Sequence, residues 1–326
     1  KGRTKSGRAN ISTLARFFTP HTFKICAAVP EKPQRGKVGV PFINNTTGSF
    51  TIGNGRLYLG GDFTNSGTLS LAAEVRMTGT ATQNIGGFTT TGTVSMTKTG
   101  GTATFTGDVN GSRLTVNGSG GTLNLGTGLT HTFSGTWTRT GGTLNGGSST
   151  LILTKSGTII NSGTTGGTFT ASNGTVQYSF AGIQTVVPLT YNNLTLAGSG
   201  VKTTTGITVN GILSMEGSAT ASALPTYGSN ATLQYKGSAA QTTGIEFPAT
   251  WSGTGGIKIE NANGVTLGST KNIGANTLTI GSIVTGSIFN DDGFQLTGTG
   301  TLNLTSGTLK LGAATATTFP AFGTRN

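Results

Sequence analysis

The chain has 326 residues, of which 56 are Gly and 66 are Thr, and only 9 % are charged. Eight prolines exclude collagen and Pro-rich linkers, and a single cysteine, Cys26, excludes an intrachain disulfide framework. The net charge is +12, but residues 1–43 hold nine Lys or Arg against one acid, Glu31, whereas residues 44–326 hold twelve against eight. A basic end of this kind reads as a solvated tail, and no Arg–aromatic interleaving downstream supports nucleic-acid binding.

In chain order, residues 1–43 stand apart. They carry Pro20, Pro30, Pro33 and Pro41, most of the basic charge and the cysteine. They read as a leader or linker, with a helical turn over "NISTLARFF" capped by Asn10 or Ser12. No stretch of the chain approaches the ~20 apolar residues of a membrane helix, and no signal peptide is visible. The start at Lys1 and the stop within a Thr-rich pattern at Asn326 read as a piece of a longer protein.

From residue 44 onward the text repeats. "VRMTGTATQ" at Val75, "VQYSFAGIQ" at Val176 and "LQYKGSAAQ" at Leu233 share an apolar residue, then Met or Tyr, then Gln at the ninth position. The last two copies lie 57 residues apart, and "FSGTWTRTGG" at Phe133 and "FPATWSGTGG" at Phe247 lie 114 apart, twice that interval. Three coils of ~19 residues fit this period, a size that suits a β-solenoid. Apolar–x–apolar pairs supply the strands: Leu123/Leu125, Leu151/Leu153, Leu194/Leu196, Ile207/Val209, Ile257/Ile259, Val265/Leu267, Leu278/Ile280, Leu302/Leu304 and Leu309/Leu311. Alternate side chains of a strand share a face, so each pair points inward and Gly or Asn makes the corner that follows.

The expected fold is therefore all-β, a parallel β-helix or β-solenoid of some 15 coils over residues 44–326, continuing beyond the C-terminus. A tandem β-sandwich array is the alternative; it would need longer strands joined by hairpins. In "TLNLTSGTLKL", Leu302/Leu304 and Leu309/Leu311 lie too close to stack on each other. They read as inward pairs on two successive faces of one coil, with "TSG" as the corner.

Three phrases carry a family resemblance. These are "GDFTNSGTLSL" over residues 60–71 (with one Gly doubled), "GTATQNIGG" over 79–87 and "TYNNLTLAGSG" over 190–200. They resemble repeats of large surface proteins secreted by Bacteroidetes and related bacteria. The resemblance, over about residues 48–326, implies an adhesin or cell-surface stalk, secreted or held at the cell surface. It implies surface glycans or other cell-surface proteins as partners. The sorting domain common at the C-terminus of such proteins is not in this chain, and Gly/Thr-rich autotransporter passengers are similar too.

Chemistry-bearing residues are sparse. The acids after residue 43 are Asp62, Glu74, Asp108, Glu216, Glu246, Glu260, Asp291 and Asp292. A β-helix hydrolase or lyase needs carboxylates on neighbouring coils, near one coil length apart. Glu246 and Glu260 are 14 apart and Glu216 and Glu246 are 30 apart, which fits poorly; Asp291-Asp292 reads as a turn. His21 and His131 are the two histidines, so no metal cluster, Cys–His pair or nucleophile elbow is readable, and no phosphate loop or cofactor fingerprint occurs. Trp137 and Trp251 are candidate surface contacts for sugars, against a packing role at equivalent corners of the repeat, which the matching contexts favour. T-x-T phrases raise an ice-binding reading, but the copies at Thr78, Thr102, Thr136 and Thr297 keep no fixed step along the chain. The expected function is a non-enzymatic stalk or scaffold, with a carbohydrate-active β-helix enzyme or carbohydrate-binding domain, and an ice-binding solenoid, as alternatives.

Overall fold

The structure, a computed structural model, describes residues 23–25, 36–38, 42–44, 49–53, 55–160, 166–312 and 319–326. Among these residues the chain is all β, without a helix. Its strands stack in parallel as a β-solenoid of about 13 turns. The parallel pairing rules out the sandwich array, whose hairpins would make antiparallel neighbours. Most strands are two to four residues long, because one inward pair and the residue between them are all that a coil face needs.

The chain divides into two compact units. One comprises residues 1–129, 137–145 and 162–168, and the other 130–136, 146–161 and 169–326. In the first unit the strands Arg56–Leu59, Glu74–Met77, Thr93–Met96 and Arg113–Asn124 stack in order, followed by Trp137–Asn145. Leu57, Val75, Val94, Leu114 and Trp137 form one inward column, all buried. In the second unit a column runs Leu151, Val176, Leu194, Leu213, Leu233, Ile257, Leu278 and Leu302, again buried throughout. One coil has no core of its own; burial of each of these side chains, worth ~1.5–3 kcal/mol, exists only through its neighbours above and below.

The register measures the coils. Val176, Leu194, Leu213 and Leu233 are successive partners at nearly equal steps, so the interval between the two copies of the glutamine phrase is three coils. Other coils are longer, such as those from Leu233 to Ile257 and from Leu151 to Val176. Extra residues enter at corners, which lowers the turn count below the expected one. Glycine is required where corners of adjacent coils touch. Gly217 has φ +64°, and a Cβ there would lie 2.2 Å from the Gly198 carbonyl oxygen.

Thr301–Leu304 stacks on Leu278–Ile280 while Thr308–Lys310 stacks on Ile288–Asn290, so "TSG" does turn the chain between two faces of one coil. Leu302, Leu304 and Leu309 stand on the buried Leu278, Ile280 and Phe289, so they keep the inward register. Leu302 is buried, but Leu304 and Leu311 are each 38 % exposed. The leader reading of residues 1–43, with its helical turn, Cys26 and His21, lies largely outside the described residues. Two described segments within it, Phe23–Ile25 and Gly36–Val38, pair in parallel with Ser49–Ile52 and Arg56–Leu59.

Candidate functional site

The polar groups of the interior collect at coil corners, and the repeated glutamine marks them. Gln83, Gln184 and Gln241 are all buried. Gln83 Nε2 donates to Leu59 O at 3.0 Å, Gln184 Nε2 to Leu153 O at 2.8 Å and Gln241 Nε2 to Met215 O at 2.9 Å. Leu59, Leu153 and Met215 are the register partners of Met77, Tyr178 and Tyr235, the Met or Tyr of the same phrase. The glutamine thus supplies a donor to a carbonyl at the point where the chain turns.

Each glutamine oxygen then accepts from the coil that follows. Lys98 Nζ donates to Gln83 Oε1 at 2.8 Å, to Ala81 O at 2.7 Å and to Thr78 O at 3.3 Å. Lys202 Nζ donates to Gln184 Oε1 at 3.3 Å, to Phe180 O at 2.5 Å and to Gly182 O at 3.2 Å. Asn261 takes the position at the third corner, its Nδ2 donating to Gln241 Oε1 at 2.9 Å and to Ala239 O at 2.7 Å. Ala81, Gly182 and Ala239 all stand two positions before their glutamine, so the three corners share one geometry. Lys98 and Lys202 are fully buried among neutral acceptors. Burial lowers the pKa of both ammonium groups, that of Lys202 to about 8.

A second polar cluster lies inside the second unit. Glu246 is buried; its Oε1 accepts from Tyr235 Oη at 2.7 Å and from Gly244 N at 2.6 Å. Glu246 Oε2 has no hydrogen-bond partner among the described residues. Tyr227 Oη donates to Glu246 O at 2.6 Å. Lys271 Nζ donates to Phe247 O and lies 5.2 Å from the centre of the Phe247 ring. Burial lowers the Lys271 pKa and the Glu246 carboxylate opposes that shift. Burial, reinforced by the Glu246 charge, holds the Tyr227 and Tyr235 hydroxyls well above the ordinary tyrosine value.

Four other acids, Glu74, Glu216, Glu260 and Asp291, are engaged structurally. Glu260, buried, accepts from Ser282 N at 3.1 Å and from Ile283 N and Val284 N at 2.8 Å each, and also from the Ser282 hydroxyl. Burial acts to raise its pKa, but these four donors outweigh it and the pKa is lowered. Glu74 is lowered likewise: burial works against its charge, while Arg76, Ser95 and Arg56 favour it. Glu216 Oε1 accepts from Ser214 Oγ, and Asp291 Oδ1 from Gly293 N and Gly312 N.

Trp137 and Trp251 are not surface contacts. They are 0 % and 1 % exposed, so neither offers a face to a sugar. Nor are they equivalent. Trp137 sits in a strand, stacked on Leu114, whereas Trp251 lies in a later segment of its coil, where its backbone N–H donates to Asn272 O. Its indole Nε1 donates to Gly253 O at 2.7 Å, and its ring packs 4.7 Å from that of Tyr227. His131 is buried as well.

Among the described residues no group of three His, Cys, Asp or Glu side chains is placed to hold a metal ion. The corner lysines and Asn261 went unseen in the sequence because their distance from the glutamine drifts with coil length: 15 positions for Lys98, 18 for Lys202 and 20 for Asn261. Comparison with protein-family models, with curated proteins and with solved structures finds no match.

Proposed function

We propose that the chain is a non-enzymatic scaffold segment of a bacterial secreted or cell-surface repeat protein, serving as a stalk or as an adhesive surface. The observation that carries this reading is the use of the interior polar groups. Gln83, Gln184, Lys98, Lys202 and Glu260 are each engaged in tying one coil to the next, so their chemistry is committed to the fold. A repeated outer face offers many weak polar contacts, and such contacts act through multivalency. Surface glycans or other cell-surface proteins are the partners that suit such a face, and nucleic acid is not among them. No helix among the described residues is long and apolar enough to cross a membrane.

The test is retention on immobilised glycans. Beads carrying many copies of the chain are expected to be held where a single free chain is washed away. Release of new sugar ends from a panel of neutral and acidic polysaccharides would establish the enzyme instead.

A further inference from the structure

One face of the second unit combines order with uncharged outward positions on its strands. Strands Gly157–Thr158, Gln184–Thr185, Ser199–Thr203 and Ser218–Ala221 form a single parallel sheet. Thr158, Thr185 and Thr203 are register partners in successive coils. Two positions before Thr185 and Thr203, on the same face, stand Ile183 and Val201; Val201 pairs with Thr220. Ile183 is 66 % exposed and Val201 41 %, and Thr158 and Thr220 are exposed too. The bridge between Ala181 and Ser199 adds small residues at the rim.

The face is therefore a grid. Its rows repeat at the strand spacing of about 4.8 Å and its columns at every second residue, about 6.7 Å. Every outward position is a methyl or a hydroxyl on a short side chain, and most are β-branched with one favoured χ1. Beneath the grid the inward side chains of the same strands include Gln184 and Lys202, whose bonds lock one coil to the next. The strands consequently cannot slide or splay without breaking a buried polar corner.

A rigid, periodic, uncharged grid recognises something periodic. A protein partner is a poor fit: the patch spans roughly 15 Å across the strands and 13 Å along them. That is far short of the roughly 800 Å² per side that a stable interface buries. A stacked polysaccharide surface is a poor fit too, since the grid carries no aromatic ring. We infer that this face binds ice, the grid of Thr, Ile and Val side chains holding a layer of water commensurate with oxygen rows on the crystal surface. Methyl groups cage the water while threonine hydroxyls hydrogen-bond to it, and charge is kept to the rim, where the Lys155 ammonium donates to Ser156 O at 2.9 Å. The column Thr190, Thr208 and Thr226, on another sheet of the same unit, also repeats at equal steps along the chain. The T-x-T phrases missed this arrangement because the aligned threonines Thr158, Thr185 and Thr203 sit at unequal intervals.

The experiment is thermal hysteresis with ice-crystal shaping, on the full chain at millimolar concentration. A freezing gap with faceted crystals is expected. The double variant Thr185→Lys/Val201→Lys should lose it while keeping its circular dichroism and melting temperature, since both positions face outward. A control, Thr279→Lys on a different sheet, should retain it. Absence of a gap in the folded chain, or a gap unchanged in the double variant, overturns the inference. So does sedimentation showing that the grid pairs two copies of the chain.

Discussion

The corners at Gln184 and Gln241 lie three coils apart in the second unit, and they meet one backbone demand with different charges. At Gln184 the partner is Lys202, a buried ammonium among neutral oxygens, and the interior tyrosine, Tyr178, bonds to Tyr191 and to Val187 N. At Gln241 the partner is the neutral Asn261, and the interior tyrosine, Tyr235, bonds to the buried carboxylate of Glu246. Both solutions complete the same carbonyl bonds. They differ in where the ionisable burden sits: at the corner in one, in the core in the other. The stacking geometry is thus indifferent to which donor serves it, but stability and its pH dependence are not.

The largest effect should come from the core. Glu246→Ala leaves Tyr235 Oη, Gly244 N and the Lys271 ammonium without their carboxylate. It should cost about 3–5 kcal/mol in urea unfolding at neutral pH. An effect below that of Lys202→Met would break the contrast between the two regions. Next, Gln184→Leu strips donors from Leu153 O and Lys155 O and an acceptor from Lys202, and should cost about 3 kcal/mol. Gln241→Leu, facing a neutral partner, should cost about 2 kcal/mol.

Titration sharpens the difference. Folded Lys202 releases its proton at about pH 8, against an ordinary value of 10.5. Between those values the unfolded chain binds more protons, so stability rises with pH by about 2 kcal/mol once solvent screening is allowed for. Lys202→Met should flatten that rise. Tyr227 and Tyr235 act oppositely: their folded pKa is raised, so their contribution is complete below the ordinary tyrosine value and is lost as pH climbs through the folded one. Hydrogen exchange should therefore tighten around Gln184 as pH rises from about 8 to about 10. The smallest change is Asn261→Ala, at about 1 kcal/mol and independent of pH across that window.

The architecture was legible because inward pairs recur with a polar residue between them. Leu151/Leu153, Leu194/Leu196 and Leu278/Ile280 all point inward as the alternation requires. The glutamine of the repeated phrase was visible too, although not its purpose, since a hydrogen bond to the coil below has no local signature. Lys98, Lys202 and Glu246 were illegible for a stronger reason. A lone lysine or glutamate in a polar sequence reads as solvated, and only the stacked coil reveals that it turns inward. The matching tryptophan phrases misled because similar wording recurs at different points of the coil. Aligned threonines hid behind coils of unequal length.

The register between coils is tested most directly by disulfide cross-linking of outward partners. With Cys26→Ser as background, Thr185→Cys and Thr203→Cys are partners in adjacent coils, at a strand separation of about 4.8 Å that falls within disulfide reach. Rapid, near-complete oxidation of this pair is expected, and little of a pair offset along the strand, Thr185→Cys with Val201→Cys. Equal oxidation of both pairs, or none of the first, would contradict the stacked solenoid.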